Sequence, residues 1–128
     1  MGMTLTTHRL DRSTVMECIE ACLACASECS ACVDACLSSC GPGDVASCVR
    51  ANLDCAEVCL ALGHQLSRQA TEYRNLSQMI LLRSCVEACL NCAIECEKHV
   101  DRHPHCRTAA ERCLRCARAC QVLLGHSG

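Results

Sequence analysis

The sequence predicts an all-α protein, an antiparallel up-down-up-down four-helix bundle built from two helical hairpins. Three observations carry that expectation. First, cysteines recur at steps of three and four residues; from Cys18 through Cys22, Cys25, Cys29, Cys32 and Cys36 to Cys40 the steps are 4, 3, 4, 3, 4 and 4. Such steps keep side chains on one face of a 3.6-residue turn. Second, the segment Cys18-Ile-Glu-Ala-Cys22-Leu-Ala-Cys25-Ala-Ser-Glu-Cys29 returns as Cys85-Val-Glu-Ala-Cys89-Leu-Asn-Cys92-Ala-Ile-Glu-Cys96, identical at nine of twelve positions. Third, each half carries one short break, Gly41-Pro42-Gly43 or Asp101-Arg102-His103-Pro104, and short connections make antiparallel neighbours. No stretch has the period-2 alternation of a strand.

Residues 1–10 read as a flexible N-terminus, 11–124 as one bundle and 125–128 as a C-terminal tail. The first helix is expected from Asp11 to Cys40, about 45 Å long, stopped by Gly41-Pro42-Gly43. Asp44 then suits the N-cap of a second helix, from Val45 to Gln69. Its Cys48, Cys55 and Cys59 share a face with Asn52. Gly63 weakens this helix without ending it. Residues 70–74 form the central connection, and Asn75 with Gln78 makes a capping pair that opens a third helix to Val100. Cys85, Cys89, Cys92 and Cys96 line it. Pro104 suits the first position of a fourth helix, which carries Cys106, Cys113, Cys116 and Cys120 and stops before Gly125.

This topology gives the bundle two unlike ends. Val15, Met16, Leu62, Leu66, Leu76, Met79, Ile80, Val122, Leu123 and Leu124 collect at the end holding the chain start and form an apolar plug. His99, His103 and His105 gather at the other end, beside the two turns. The expected shape is a tube of thiols closed by hydrocarbon at one end and opened through imidazoles at the other.

The chain is 128 residues with a formal net charge of −2, enough for one modest core. Acids and bases are interspersed, which gives no reason to expect nucleic acid or an anionic membrane as partner. Met1–Arg12 has no apolar stretch or cleavage site of a signal peptide, and the fit of Met1-Gly2-Met3-Thr4-Leu5-Thr6 to the loose myristoylation pattern is too short to weigh. No run approaches 18 apolar residues, so no membrane span is expected. These features predict a cytoplasmic protein. In that reducing compartment 18 cysteines read as metal ligands before they read as disulfides.

One buried cysteine is ordinarily a small core hydrophobe. Eighteen in phase on four helices are not explained that way. Intrahelical disulfides fit poorly, because Cβ atoms at i and i+4 lie about 5–6 Å apart and a relaxed bridge wants about 3.5–4.5 Å. Zinc favours closed tetrahedral sites on turns, and iron–sulfur clusters favour loop-borne runs. The soft ion Cu(I) selects thiolate and accepts the two or three sulfurs that neighbouring helical turns offer. Burying uncompensated thiolates is costly. About one Cu⁺ per thiolate leaves the interior near neutral, whereas four thiolates on Zn²⁺ leave two negative charges in excess. The residues therefore point to multiple Cu(I) ions, roughly one per cysteine, with a metallothionein-like zinc buffer and a redox or disulfide-buffering thiol protein as alternatives. His99, His103 and His105 are expected at the entry, since imidazole can bind Cu(I) and pass it inward. Asn52 is a candidate oxygen ligand. His8, His64 and His126 read as solvated, Met16 and Met79 as core, and Glu20, Glu28, Glu87 and Glu111 as a solvated face.

The Cys18–Cys36 series, Asn52-Leu53-Asp54-Cys55-Ala56-Glu57-Val58-Cys59, Cys85–Cys96, and His99-x-x-x-His103-x-His105-Cys106 with Cys113, Cys116 and Cys120 together resemble the bacterial copper storage proteins, in their cytosolic branch, from Asp11 to Leu124. The resemblance implies a homotetramer of bundles, not an enzyme, each storing many Cu(I) ions for copper homeostasis and detoxification behind a His-lined mouth. Cys40 and His64 are the positions that match least closely.

Overall fold

The structure, a computed structural model, describes residues 12–39, 42–68 and 75–126. Four helices account for nearly all of them: α1 (Arg12–Ser39), α2 (Pro42–Arg68), α3 (Leu76–Glu97) and α4 (Pro104–His126). They pack as a ring, α1 against α2 and α4, and α3 against α2 and α4. With the short turns this is the antiparallel bundle that the repeat predicts.

Helix ends follow local chemistry. Asn75 is the N-cap of α3, and its side chain accepts a hydrogen bond from the Gln78 amide at 2.8 Å, as a capping residue should. Pro104 opens α4 as expected. α2 starts earlier than the sequence suggested, at Pro42. Proline at the first helical position loses no hydrogen bond and has its φ already set, so Gly43 and Asp44 lie inside the first turn. α3 ends earlier, at Glu97 with Lys98 as C-cap. Beyond it His99 N–H donates to Cys96 O at 3.0 Å, and His103 N–H donates to His99 O at 2.8 Å. α4 runs through Gly125 to His126 rather than stopping before it.

The core is a column of small side chains. Cys18, Cys22, Cys25 and Cys29 of α1, Cys55 and Cys59 of α2, Cys85–Cys96 of α3 and Cys113–Cys120 of α4 are buried, with Ala21, Ala26, Ala56, Ala93, Ala109, Ala110 and Ala117 beside them. Interhelical separation depends on side-chain size at the contact, and a cysteine–alanine interface draws four backbones close enough for sulfurs from all of them to touch. Gly63 shows how close: a Cβ there would stand 3.1 Å from Leu23 Cδ2 and 3.5 Å from Cys22 Cβ.

The apolar plug exists with a different membership. Val15, Leu62, Leu66, Leu82 and Leu123 are buried at the chain-start end, together with Gln78. Met16, Leu76, Ile80 and Val122 are exposed. Register explains the difference: the buried residues continue the cysteine steps of three, four and seven, whereas Met16 and Val122 each stand about 100° from the nearest buried neighbour on that stripe, Val15 and Leu123. By length and a hydropathy of 1.3, α1 alone among the described helices could cross a bilayer. Its apolar character comes largely from cysteines that here face the bundle interior.

Candidate metal centre

Seventeen cysteines lie among the described residues, each buried and each a free thiol; Cys40 lies outside those residues. Periodicity alone aligns them along each helix, and the bundle then brings the four stripes together. From the plugged end, Cys18 meets Cys120 at 3.9 Å. Cys116 touches Cys22 at 3.8 Å, Cys85 at 3.9 Å and Cys59 at 3.9 Å. Cys59 continues to Cys89 at 3.8 Å, and Cys55 meets Cys89 at 3.7 Å and Cys113 at 3.9 Å. Cys29 closes this run against Cys113 at 3.7 Å and Cys92 at 3.9 Å.

Nearer the turns the column changes character. Asn52 occupies the place in the α2 rhythm where a cysteine would fall, and Ala109 does the same in α4. Asn52 Nδ2 donates to Cys48 O at 2.8 Å and reaches the Cys48 and Cys96 sulfurs at 3.4 Å each. Its Oδ1 is buried and has no hydrogen-bond partner. Past this layer sit Cys32, Cys36, Cys48, Cys96 and Cys106, with Cys48 and Cys96 at 3.9 Å and Cys32 and Cys106 at 4.0 Å. The layer thus divides an inner group of twelve described thiols from an outer group of five.

The imidazoles stand at the outer end. His105 Nε2 is 3.3 Å from Cys36 Sγ. The His103 and His105 rings are 5.5 Å apart, and the His99 and His103 rings 6.3 Å apart. His99 is buried and its Nδ1 has no hydrogen-bond partner. His103 and His105 are half-buried. His64 is exposed and stands apart from them; His8 and the side chain of His126 lie outside the described residues. Glu20, Glu87 and Glu111 are exposed and Glu28 is half-buried.

Packed thiols alter one another's acidity. The Cys55 and Cys116 thiols are pulled down, chiefly by hydrogen bonds from Cys113 and Cys120 respectively. Cys18 falls to about 5 through Cys120 and Cys22, and Cys25 to about 6 through Cys113 first. Cys113 and Cys120 are pushed up in turn. Cys106 is raised to about 11, first by burial. His105 is lowered, first by burial and then by His103. Hydrogen bonding to a charged form favours it, so a few interior sulfurs give up a proton more readily than their neighbours do.

Five sets of ligand atoms among the described residues lie within 4.8 Å of one another. Four thiols make up Cys22/Cys85/Cys116/Cys120, Cys25/Cys59/Cys89/Cys116 and Cys25/Cys29/Cys55/Cys113. Three make up Cys32/Cys48/Cys96, and the last set is Cys32/Cys36/His105/Cys106. The sequence brought out the cysteines, the histidines and Asn52; it missed the direct contact of His105 with Cys36, which depends on where α4 begins relative to the end of α1.

The chain matches the family described as copper storage protein over residues 11–125. Among solved structures it is similar to a double histidine-to-alanine variant of Streptomyces lividans Ccsp, with 42% identity over 91% of this chain and 98% of that one and a TM-score of 0.86. It is also similar to Ccsp, the copper storage protein from Streptomyces lividans, loaded with 10 copper equivalents: 44% identity, 90% of this chain, 86% of that one, TM-score 0.84. Cu(I)-bound copper storage protein BsCsp3 is more distant, with 27% identity, 86% and 97% coverage and a TM-score of 0.75. No curated protein matches.

Proposed function

The chain belongs to the copper storage protein family, and from that premise we propose that it holds its copper as Cu(I) on the thiolates of its core, to roughly one ion per cysteine. The observation that carries this is the dense packing of free buried thiols, with sulfur–sulfur contacts of 3.7–4.0 Å supplied by all four helices. Copper-loaded Ccsp and Cu(I)-bound BsCsp3 support the choice of metal. So does charge: a monovalent ion replacing each thiol proton leaves the interior neutral, where bare thiolates would not be tolerated.

The ligands in this reading are Cys18–Cys36, Cys48, Cys55, Cys59, Cys85–Cys96, Cys106 and Cys113–Cys120, with Cys40 as a further thiol beside the turn. Asn52 Oδ1, already buried without a partner, supplies an oxygen between the inner and outer groups. His99, His103 and His105 take copper at the mouth and hand it to Cys36 and Cys106. The protein turns nothing over and acts as a store. It works in the cytosol, as the similarity to the cytosolic Streptomyces lividans protein suggests, and assembles as a homotetramer, as family resemblance implies.

Anaerobic titration of the reduced chain with Cu(I) tests the reading. Saturation far above one copper per four cysteines is expected; saturation at or below that ratio refutes it. A His99/His103/His105 triple alanine variant should reach a similar capacity more slowly, and unchanged loading kinetics would remove the histidines from the path.

A further inference from the structure

We infer that Cys25, Cys29, Cys55 and Cys113 form a preorganised tetrahedral site for one divalent d¹⁰ cation of zinc's size, separate in kind from the monovalent cargo. The warrant is the shape of this set. Cys25 stands 3.9 Å from Cys29, 3.8 Å from Cys55 and 3.8 Å from Cys113; Cys29 stands 3.7 Å from Cys113, and Cys55 stands 3.9 Å from Cys113. The sixth edge, Cys29 to Cys55, lies within 4.8 Å. A regular tetrahedron with edges of about 3.8 Å has its centre about 2.3 Å from each corner, which is the Zn–S bond length. The other two four-thiol sets make two sulfur–sulfur hydrogen bonds each, 3.8 and 3.9 Å in both, against five in this one.

The surroundings suit one such ion and discourage several. Four thiols bind Zn²⁺ as thiolates, releasing four protons to solvent and leaving the site with two negative charges. Flanking thiols answer part of that charge: Cys92 is 3.9 Å from Cys29 and Cys59 is 3.9 Å from Cys55, where their S–H groups can donate to coordinated sulfur, as outer-layer donors do in zinc sites. An ion at the adjoining set would compete for Cys25, which the two sets share, and would add its own excess charge to the same interior. The site joins α1, α2 and α4, so the ion would tie three helices together in a chain awaiting copper, and incoming Cu(I), which relieves the charge, would displace it.

Anaerobic titration of the reduced, metal-free full chain with Zn²⁺, and in parallel with Co²⁺ as a spectroscopic probe, tests this. The expected result is one tightly held ion per chain, a cobalt spectrum of a tetrahedral four-thiolate centre, and zinc X-ray absorption showing four sulfurs at about 2.3 Å. Cys29→Ala/Cys113→Ala should abolish it, whereas Cys18→Ala/Cys120→Ala should keep it, with helicity measured for both. Should the first variant fail to fold, mapping which thiols of the wild-type chain zinc protects from alkylation gives the same answer. Uptake of several ions, oxygen or nitrogen ligands, or protection centred on Cys22, Cys85, Cys116 and Cys120 would overturn the inference. Cu(I) capacity measured on the same preparations is an independent readout: full copper loading without a zinc site sinks this inference alone, and failure of both sinks the storage reading as well.

Discussion

At the scale of single residues, imidazole and amide offer what a thiol cannot. A buried thiol must lose a proton to hold a metal ion, while a neutral imidazole is ready at once. His105 is set for that role: its Nε2 lies 3.3 Å from Cys36 Sγ, and burial followed by the neighbouring His103 lowers its pKa below 6.5. The sign follows from the cause. Burial penalises imidazolium, so the proton leaves at lower pH than usual and the ring is mainly neutral at pH 6.5. Thiol deprotonation also varies with pH, so the informative quantity is the loading rate of the wild type divided by that of His105→Gln. This ratio should drop with a midpoint below pH 6.5; a midpoint at or above 6.5 would mean that His105 enters the path as an ordinary solvated histidine. Asn52 stands where a thiol would fit the rhythm, and its amide donates to Cys48 and Cys96. Asn52→Cys should therefore raise Cu(I) capacity by about one ion per chain, and an unchanged endpoint in the titration would show that the added sulfur does not join the column.

At the scale of elements, the helices and the sulfur column were legible from spacing because one residue type marked the buried stripe almost without interruption. The plug was less legible because it was chosen by composition. Carrying the cysteine steps outward selects Val15, Leu62, Leu66, Gln78, Leu82 and Leu123, all buried, and rejects Met16 and Val122. The signal was in the sequence, but an apolar residue near a helix end is not by itself a core residue. The start of α2 was missed for another reason: Pro42 and Asp44 both suit a helix start, and only the packing chooses. Two substitutions measure these local effects. Asn75→Ala removes the bond to Gln78 N and should cost about 1 kcal/mol in urea unfolding. Gly63→Ala gains helix propensity of up to about 1 kcal/mol against a 3.1 Å approach to Leu23 Cδ2. Leu23 is 40% exposed, so its side-chain end can give way, and the variant should be more stable by a few tenths of a kcal/mol. A loss of stability would show that Leu23 is held where it stands.

At the scale of the whole molecule, the question is how a bundle can use metal ligands as its core and still fold before metal arrives. Protonated thiols behave as small apolar side chains, so the empty column is a hydrophobic core closed by leucine at one end. Loading must then exchange protons for copper one for one if the interior is to remain neutral. Most of the thiols whose acidity is shifted are raised, Cys22, Cys29, Cys59, Cys89, Cys113 and Cys120 among them, so at neutral pH the exchange draws mainly on S–H groups. Cu(I) delivered anaerobically in weak buffer should accordingly release nearly one proton per ion across most of the titration. Release should fall short where the ion reaches sulfurs already lowered, such as Cys18 and Cys25. Because binding expels protons, the apparent affinity should weaken as pH falls. Release well below one proton per copper throughout would mean that the resting core is already anionic, and the bundle would then need a counter-charge that its buried leucines and alanines do not provide.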